Sequence, residues 1–388
     1  MRQTLRNLRD AMRKGDVVLL LLCIVTNSFG CLVIASASQT LNSSRYVPIQ
    51  IFAMCFGVLC YLVISTIDAE YLSEHRMHLV VFNVFLLFLL IPFGTDMGSG
   101  NRSWLDFPLL PVNIQPAEIC KITFILIMAS VMNANQNRIS SIPSILQMVF
   151  HMGLIVGLNM VLSGDAGVSL IFVFIFIGMA FAGGVSLIWF LVAGGGLAVT
   201  LPFIYTYIMD DYQRLRIQVL FDPDLDPLGT SARYHTMRSL RSLTGGGMTG
   251  QGLFNGNRTQ TPEALYAQHT DYIFSAIGEE LGFLGCLLAV TLLVLIIARC
   301  IWVGNRSQDY MRRLICYGAA SALIFQIIVN VGMCIGVMPV IGLTLPFISY
   351  GGSSLISLYA MLGLVSGVYA RPAPASHERY IRAPYKLK

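Results

Sequence analysis

Polar residues are scarce along this chain and fall in clumps. Between the clumps run apolar stretches of about twenty residues, such as DVVLLLLCIVTNSFGCLVIASA (16–37) and HLVVFNVFLLFLLIPFG (78–94). A helix of roughly 20 residues matches the hydrocarbon thickness of a bilayer. The pattern predicts about ten membrane-spanning helices, near 17–37, 48–67, 77–94, 116–133, 143–162, 166–184, 186–208, 272–302, 313–338 and 350–370. The expected fold class is therefore an all-α integral membrane protein, a polytopic bundle forming one domain over 1–388. Two connections are long, one near 95–115 and one near 209–271, between the seventh and eighth spans. A loop of that second length without evident strands is usually functional or disordered, and its charge, glycine and aromatic content favours function. No internal repeat of the transporter type is evident.

Composition agrees with this reading. Of 388 residues, 55% are hydrophobic and 12% charged, where an average soluble domain is about one quarter charged. The net charge of +5 does not point to nucleic acid, because the basic residues sit at the two ends and in short loops. The tail at about 1–16 carries Arg2, Arg6, Arg9, Arg13 and Lys14, and the tail at about 371–388 carries Arg371, Arg379, Arg382, Lys386 and Lys388. Both ends read as cytoplasmic by the positive-inside rule, which makes the span count even and the 209–271 loop extracytoplasmic. Arg76, Arg138, Arg306, Arg312 and Arg313 then fall on inside loops, and outside the large loop only Arg45 and Arg102 face the other way. The first apolar run also mimics a signal peptide, with Ala-Ser-Ala at 35–37, but it is longer than a usual signal core. The nine cysteines lie almost entirely in apolar segments without zinc spacing and read as small buried hydrophobes.

Candidate chemistry begins at HTDYIFSAIGEELGFLG (269–285), where the large loop re-enters the membrane. Thr270 or Asp271 could cap the helix that follows. Alternatively, Asp271 is a general base whose pKa is raised beside apolar surface. Glu279 and Glu280, further along, read as structural groups paired to a cation on a neighbouring helix, next to the close-packing pair Gly278 and Gly282. In NIQPAEICKI (113–122), Pro116 and Glu118 suit the first turn of a helix, and Lys121 lies on the same face as Glu118. Two readings stand there: an intrahelical ion pair, or a lysine facing an anionic substrate.

Arg214 and Arg216 lie in DDYQRLRIQVLFDPDLDP (210–227). They form either a solvated loop face or a phosphate site that uses the guanidinium fork. Asp222, Asp224 and Asp226 imitate a calcium loop, but Pro227 and Arg233 occupy the positions that need Gly and Glu, so a series of Asx turns is expected. TGGGMTGQGLFNG (244–256) lacks the Lys-Ser/Thr of a phosphate-binding loop and reads as a flexible or re-entrant segment able to approach a ligand closely. NVGMCIGVMPVIGLTLPFISYGGSS (330–354) reads as broken backbone at membrane depth, tolerated only where protein or water covers it.

That last stretch strongly resembles the signature of the SEDS family of shape, elongation, division and sporulation proteins (FtsW/RodA/SpoVE). The pattern runs through Pro339, Gly342, Pro346, Ser349, Tyr350, Gly351, Gly352 and Ser353. QPAEICK (115–121), GDAG (164–167) and HTDYIFSAIGEELGFLG (269–285) resemble the same family in the same order. Departures are small: Ala117 stands where Ser is common, and SGDAG (163–167) replaces a more usual Pro-Asp-Leu-Gly. The resemblance implies ten transmembrane helices and a peptidoglycan glycosyltransferase. Such an enzyme polymerises lipid II outside the bacterial cytoplasmic membrane, usually with a class B penicillin-binding protein as partner. It implies that Asp271 is the essential aspartate, taking the proton of the acceptor 4-hydroxyl. Arg102, Lys121, Arg214 and Arg216 are then the available cations for the leaving diphosphate, and Glu118 and His269 are further substrate-binding candidates. No cofactor is certain from the sequence, and a divalent cation is possible. Division, elongation and sporulation roles are not separated.

Two rival functions remain at this stage. One is a lipid II flippase, which buried charge in a helix bundle would suit, although the charges cluster on one side. The other is a scaffold that only docks its penicillin-binding partner.

Overall fold

The computed structural model describes residues 14–41, 45–96, 101–106, 112–227, 229–262, 264–265 and 267–371. Most of both basic tails and part of the 95–115 connection lie outside the described residues. Ten long apolar helices carry the fold: α1 Val17–Ala37, α2 Tyr46–Ser65, α3 Arg76–Phe88, α4 Pro116–Ala134, α5 Ile142–Ser163, α6 Ala166–Ala182, α7 Leu187–Phe203, α10 Ile273–Arg306, α11 Tyr310–Cys334 and α12 Gly352–Ala370. With α3 extended to Phe93 and α7 to Tyr207, nine of these are long and apolar enough to cross a membrane, among the described residues; α6 is shorter. The one sheet among the described residues is the pairing of β1, Gly94–Thr95, with β2, Trp104–Leu105.

The bundle has a centre and a rim. Helices α4, α11 and α12 bury most of their length, whereas α7 buries no residue. Small residues let the inner helices approach closely. A Cβ on Gly363 of α12 would stand 2.8 Å from the Tyr61 carbonyl of α2, and one on Gly57 would meet the Tyr359 ring at 2.6 Å. Residues 14 and 371 lie at one end of the bundle. There Asp16 is locked by Arg299 at 2.8 Å and its N–H donates to the Ser366 hydroxyl.

The long loop at the other end, expected without evident strands, is partly helical. It folds two helices, α8 Asp211–Phe221 and α9 Tyr234–Gly246. Asp210 opens α8 with a capping box to Gln213. The expected Asx turns are present: Asp222 accepts the Asp224 N–H, and Asp226 accepts three N–H groups, from Thr230, Ser231 and Arg233.

The expected eighth span is broken. At 34 residues it would be about 51 Å long, well beyond the roughly 30 Å a bilayer core needs. Gly282 adopts φ 66° and ψ −164°, which divides a short buried helix, 273–281, from the spanning part, 283–306. A break leaves orphan backbone groups on both sides, and the glycine-rich loop satisfies them. Gln251 and Gly252 N–H groups donate to the Glu279 and Glu280 carbonyls, and Phe283 and Leu284 N–H groups donate to Gly247 and Met248 carbonyls. The close approach expected of these glycines is therefore to the helix break. A Cβ on Gly250 would lie 2.1 Å from the Glu280 carbonyl oxygen.

Glu279 and Glu280 were expected to pair with a cation on a neighbouring helix, but among the described residues each is held by hydrogen bonds and no cation pairs with either. Glu279 accepts the Arg258 N–H at 2.6 Å and the Thr259 hydroxyl at 3.0 Å. Glu280 accepts from the Ser36 hydroxyl at 2.6 Å and the Gln260 amide at 3.1 Å. The two carboxylates fasten the end of the loop to the helix stub and to α1.

Candidate active site

The signature stretch 335–351 runs between α11 and α12 without helix or strand, yet Leu345, Phe347, Ile348 and Ser349 are buried. Buried backbone needs partners, and three amide side chains supply them. Asn27 donates to the Phe347 carbonyl at 2.8 Å, Gln50 to the Ser349 carbonyl at 3.2 Å, and Asn330 to the Leu343 carbonyl at 2.6 Å. Phe347 sits at φ 63°, in the left-handed region.

This loop and α11 in turn hold residues 269–271. The His269 carbonyl accepts the Tyr350 N–H at 2.9 Å. The Thr270 carbonyl accepts the Ser349 hydroxyl at 2.6 Å, and the Asp271 carbonyl accepts the Asn330 amide at 2.8 Å. Three consecutive carbonyls are pinned. The Asp271 carboxylate is not: no hydrogen bond or ion pair reaches it among the described residues, and the helix cap is Tyr272, with no side-chain capping bond. The capping alternative for Asp271 is thereby removed. Its Oδ2 lies 3.6 Å from where a Cβ on Gly342 would stand, so the glycine leaves space in front of the carboxylate.

Burial, and then the carboxylate of Asp165, push the Asp271 pKa up to about 6. Asp165 caps α6 through the Val168 N–H at 3.0 Å and accepts from Gln115 at 3.2 Å. Its own pKa is raised, by burial first and, among charges, by Glu118. Glu118 and Lys121 form the intrahelical pair at 2.8 Å, both almost fully buried, and the Ser357 hydroxyl donates to Glu118 at 2.6 Å. Gln115 N–H reaches the Ser353 hydroxyl at 3.1 Å, tying α4 to the signature. The four motif stretches, far apart in sequence, thus meet around one half-buried carboxylate. Among the described residues, no three His, Cys, Asp or Glu side chains converge to hold a metal ion.

The other candidates separate. Arg216 donates to the Val340 carbonyl at 3.3 Å, within the signature and two residues from Gly342. Arg214, on the same helix, turns to Asp211 at 3.5 Å and to the Thr206 carbonyl at 2.9 Å. Arg102 is exposed, and its neighbour Asn101 lies 3.4 Å from the Cβ position of Gly164, beside Asp165. The His269 ring packs against Tyr46 and Tyr350 at 4.6 and 5.7 Å, and burial lowers its pKa to about 4, so it stays neutral. Asp165, Gln115 and Asn330 were not selected from sequence. GDAG and QPAEICK marked the first two; nothing marked Asn330, one amide in an apolar run.

A family model described as the FtsW/RodA/SpoVE cell cycle protein matches residues 16–372. The peptidoglycan glycosyltransferase MrdB of Escherichia coli (strain K12) is 32% identical over 361 residues, covering 91% of this chain and 93% of MrdB. The probable peptidoglycan glycosyltransferase FtsW of Thiomicrospira cyclica is 32% identical over 365 residues, 90% of each chain. A solved chain from a peptidoglycan synthase complex shares 28% identity with a TM-score of 0.77, over 95% of this chain and 99% of its own. The crystal structure of the rod shape determining protein RodA of Thermus thermophilus shares 26% identity with a TM-score of 0.67, over 92% and 96%. With a family match over almost its whole length and its motifs gathered at one site, this multi-pass membrane protein belongs to the FtsW/RodA/SpoVE family of cell cycle proteins.

Proposed function

We propose that the chain, as a peptidoglycan glycosyltransferase of this family, polymerises lipid II into β-1,4 glycan strands on the outer face of the bacterial cytoplasmic membrane. Asp271 takes the proton of the acceptor GlcNAc 4-hydroxyl. The freed oxygen attacks the anomeric carbon of the donor MurNAc, and the bond to undecaprenyl diphosphate breaks with its electron pair. Direct displacement converts the α-linked donor into a β-linked product. Diphosphate leaves without needing a proton, so one base suffices and no paired acid is required, unlike a glycosidase. Positive charge near the diphosphate lowers the barrier. Arg216 and Arg102 offer it, while Lys121 is already balanced by Glu118. The scheme runs without a cofactor; a divalent cation would enter only as counter-ion to the diphosphate. His269 shapes the wall beside Asp271 as a neutral ring.

One observation carries the assignment. In a segment whose three carbonyls are held by the signature loop and α11, the Asp271 carboxylate, the group with the raised pKa, is left without a hydrogen bond or ion pair among the described residues. The expected partner is a class B penicillin-binding protein, a reading supported by the likeness to a chain of a peptidoglycan synthase complex. Asp271→Asn is the test. Polymer from labelled lipid II, resolved on gels with purified protein and its partner, should fall by at least about a hundredfold, with expression and membrane insertion unchanged. Undiminished polymer would defeat the assignment. Flipping of lipid II in liposomes with no polymer from the wild type would favour transport instead.

A further inference from the structure

We infer that the rings of Tyr46, His269 and Tyr350 form the stacking platform for the acceptor sugar, the GlcNAc whose 4-hydroxyl gives its proton to Asp271. The inference rests on the glycosyltransferase reading above. It adds Tyr46, a residue that no motif marks, and gives one ring of the signature a role in binding.

The three rings close a triangle drawn from distant parts of the chain. Tyr46 is the first residue of α2, His269 lies near the end of the large loop, and Tyr350 lies in the signature. Tyr46 stands 4.6 Å from His269 at 56° and 5.0 Å from Tyr350 at 88°. His269 stands 5.7 Å from Tyr350 at 43°. Tilted and edge-to-face contacts of this kind are favourable between aromatic rings. The backbone that carries them is fixed independently. The Tyr350 N–H donates to the His269 carbonyl at 2.9 Å. Gln50, one turn after Tyr46 on the same face of α2, donates to the Ser349 carbonyl at 3.2 Å and accepts the Gly351 N–H at 3.3 Å.

Packing accounts for the apolar bodies of these rings but not for their polar tips. Each residue is half-buried. Neither tyrosine hydroxyl has a hydrogen-bond partner among the described residues, and His269 Nδ1 is buried without one. A sugar supplies what both parts lack. In a β-GlcNAc ring the hydroxyl groups lie around the rim and the axial C–H bonds point to the two faces. The faces therefore meet aromatic surface, and the rim meets donors and acceptors. Ligand sites are commonly built in this way, from apolar walls and a few polar groups.

Charge and position select the acceptor sugar. No member of the triangle is charged, since burial lowers the His269 pKa to about 4 and keeps the ring neutral. A diphosphate finds no counter-charge there, and an uncharged sugar needs none. His269 is two residues from Asp271, at most about 7 Å along the chain. The Thr270 carbonyl between them is held by the Ser349 hydroxyl at 2.6 Å. A sugar lying on the rings thus turns its hydroxyl rim to the carboxylate that takes the proton.

The test uses full-length protein with its partner in nanodiscs and two lipid II analogues. One lacks the GlcNAc 4-hydroxyl and serves only as donor. The other carries a methylene in place of the anomeric oxygen, so its diphosphate cannot leave and it serves only as acceptor. Mixed, they couple once. The acceptor 4-oxygen bonds to the donor anomeric carbon, undecaprenyl diphosphate departs with the bonding pair, and the hydroxyl proton passes to Asp271. Tyr46→Phe keeps the ring and removes the hydroxyl. It should raise the acceptor KM about fivefold, with donor KM, kcat and melting unchanged. Tyr46→Leu should raise the acceptor KM further. An unchanged acceptor KM in Tyr46→Phe, or a donor KM that rises equally, overturns the inference. So does a Tyr46→Leu protein that melts lower yet keeps the wild-type acceptor KM, because the ring then serves packing alone. A wild type that yields neither coupled product nor polymer overturns the glycosyltransferase reading instead.

Discussion

Asn330 grips Asp271 by the backbone and leaves its carboxylate alone. One amide nitrogen donates both to the Asp271 carbonyl at 2.8 Å and to the Leu343 carbonyl at 2.6 Å. A buried side chain on α11 therefore joins the Asp271 segment to the signature loop, beside the bonds from Ser349 and Tyr350.

Asn330→Ala removes both bonds and leaves two buried carbonyls short of a donor. Each such loss costs about 1–3 kcal/mol. Thermal unfolding in detergent should drop accordingly, and glycan polymerisation should fall more than the folded fraction does. Loss of stability with full turnover per folded molecule would show that Asn330 does not position the base.

The pH profile follows from the raised carboxyl. Asp271 accepts a proton only when ionised, so the rate should climb as pH rises through about 6 and level off above. Asp165→Asn removes the neighbouring charge and should shift that limb to lower pH. Stability runs the other way. An acid with a folded pKa above its unfolded value holds its proton longer when folded, so this contribution is present below about 4 and lost as pH rises through about 6. A rate limb that Asp165→Asn leaves in place would detach Asp165 from the base.

Glu118 and Lys121 test the buried pair. Glu118→Gln strands an ammonium group that is 3% exposed, at a cost of about 3–5 kcal/mol. A double variant, Glu118→Gln with Lys121→Met, should recover much of the melting temperature. Equal melting of the single variant and wild type would mean that the lysine finds other solvation.

Gly282→Ala probes the break in α10. The residue sits at φ 66°, and an added Cβ would stand 2.4 Å from the Gly250 N. Strain in the left-handed region plus that clash should cost several kcal/mol, above the roughly 1 kcal/mol of a simple Gly change. Protease resistance of the 244–262 segment is the readout. Wild-type resistance would show that the helix and loop separate without consequence.

The apolar runs alone made the bundle legible. Lipid offers no hydrogen bonds, so each run of about twenty residues had to become a helix, and boundaries such as Val17–Ala37 and Pro116–Ala134 follow from the pattern. Motif stretches likewise marked Asp271, Glu118 and Lys121, because polar groups in such a setting stand out. Arg214 and Arg216 looked equivalent in the chain. Two residues apart on a helix, they cannot face the same way, and only the fold reveals which one meets the signature.

What tertiary structure decided is where chain segments satisfy one another. The break at Gly282 depends on a loop about thirty residues earlier supplying partners for its orphan N–H and C=O groups. The rise in the Asp271 pKa depends first on burial among packed helices and then on Asp165 arriving from another helix. The anchoring of the signature depends on Asn27, Gln50 and Asn330, single amides in apolar runs. Helix formation in lipid is a local demand met within each segment, so the sequence determined it. Hydrogen-bond pairing and charge proximity between distant segments exist only once the helices are packed, so the structure alone could decide them.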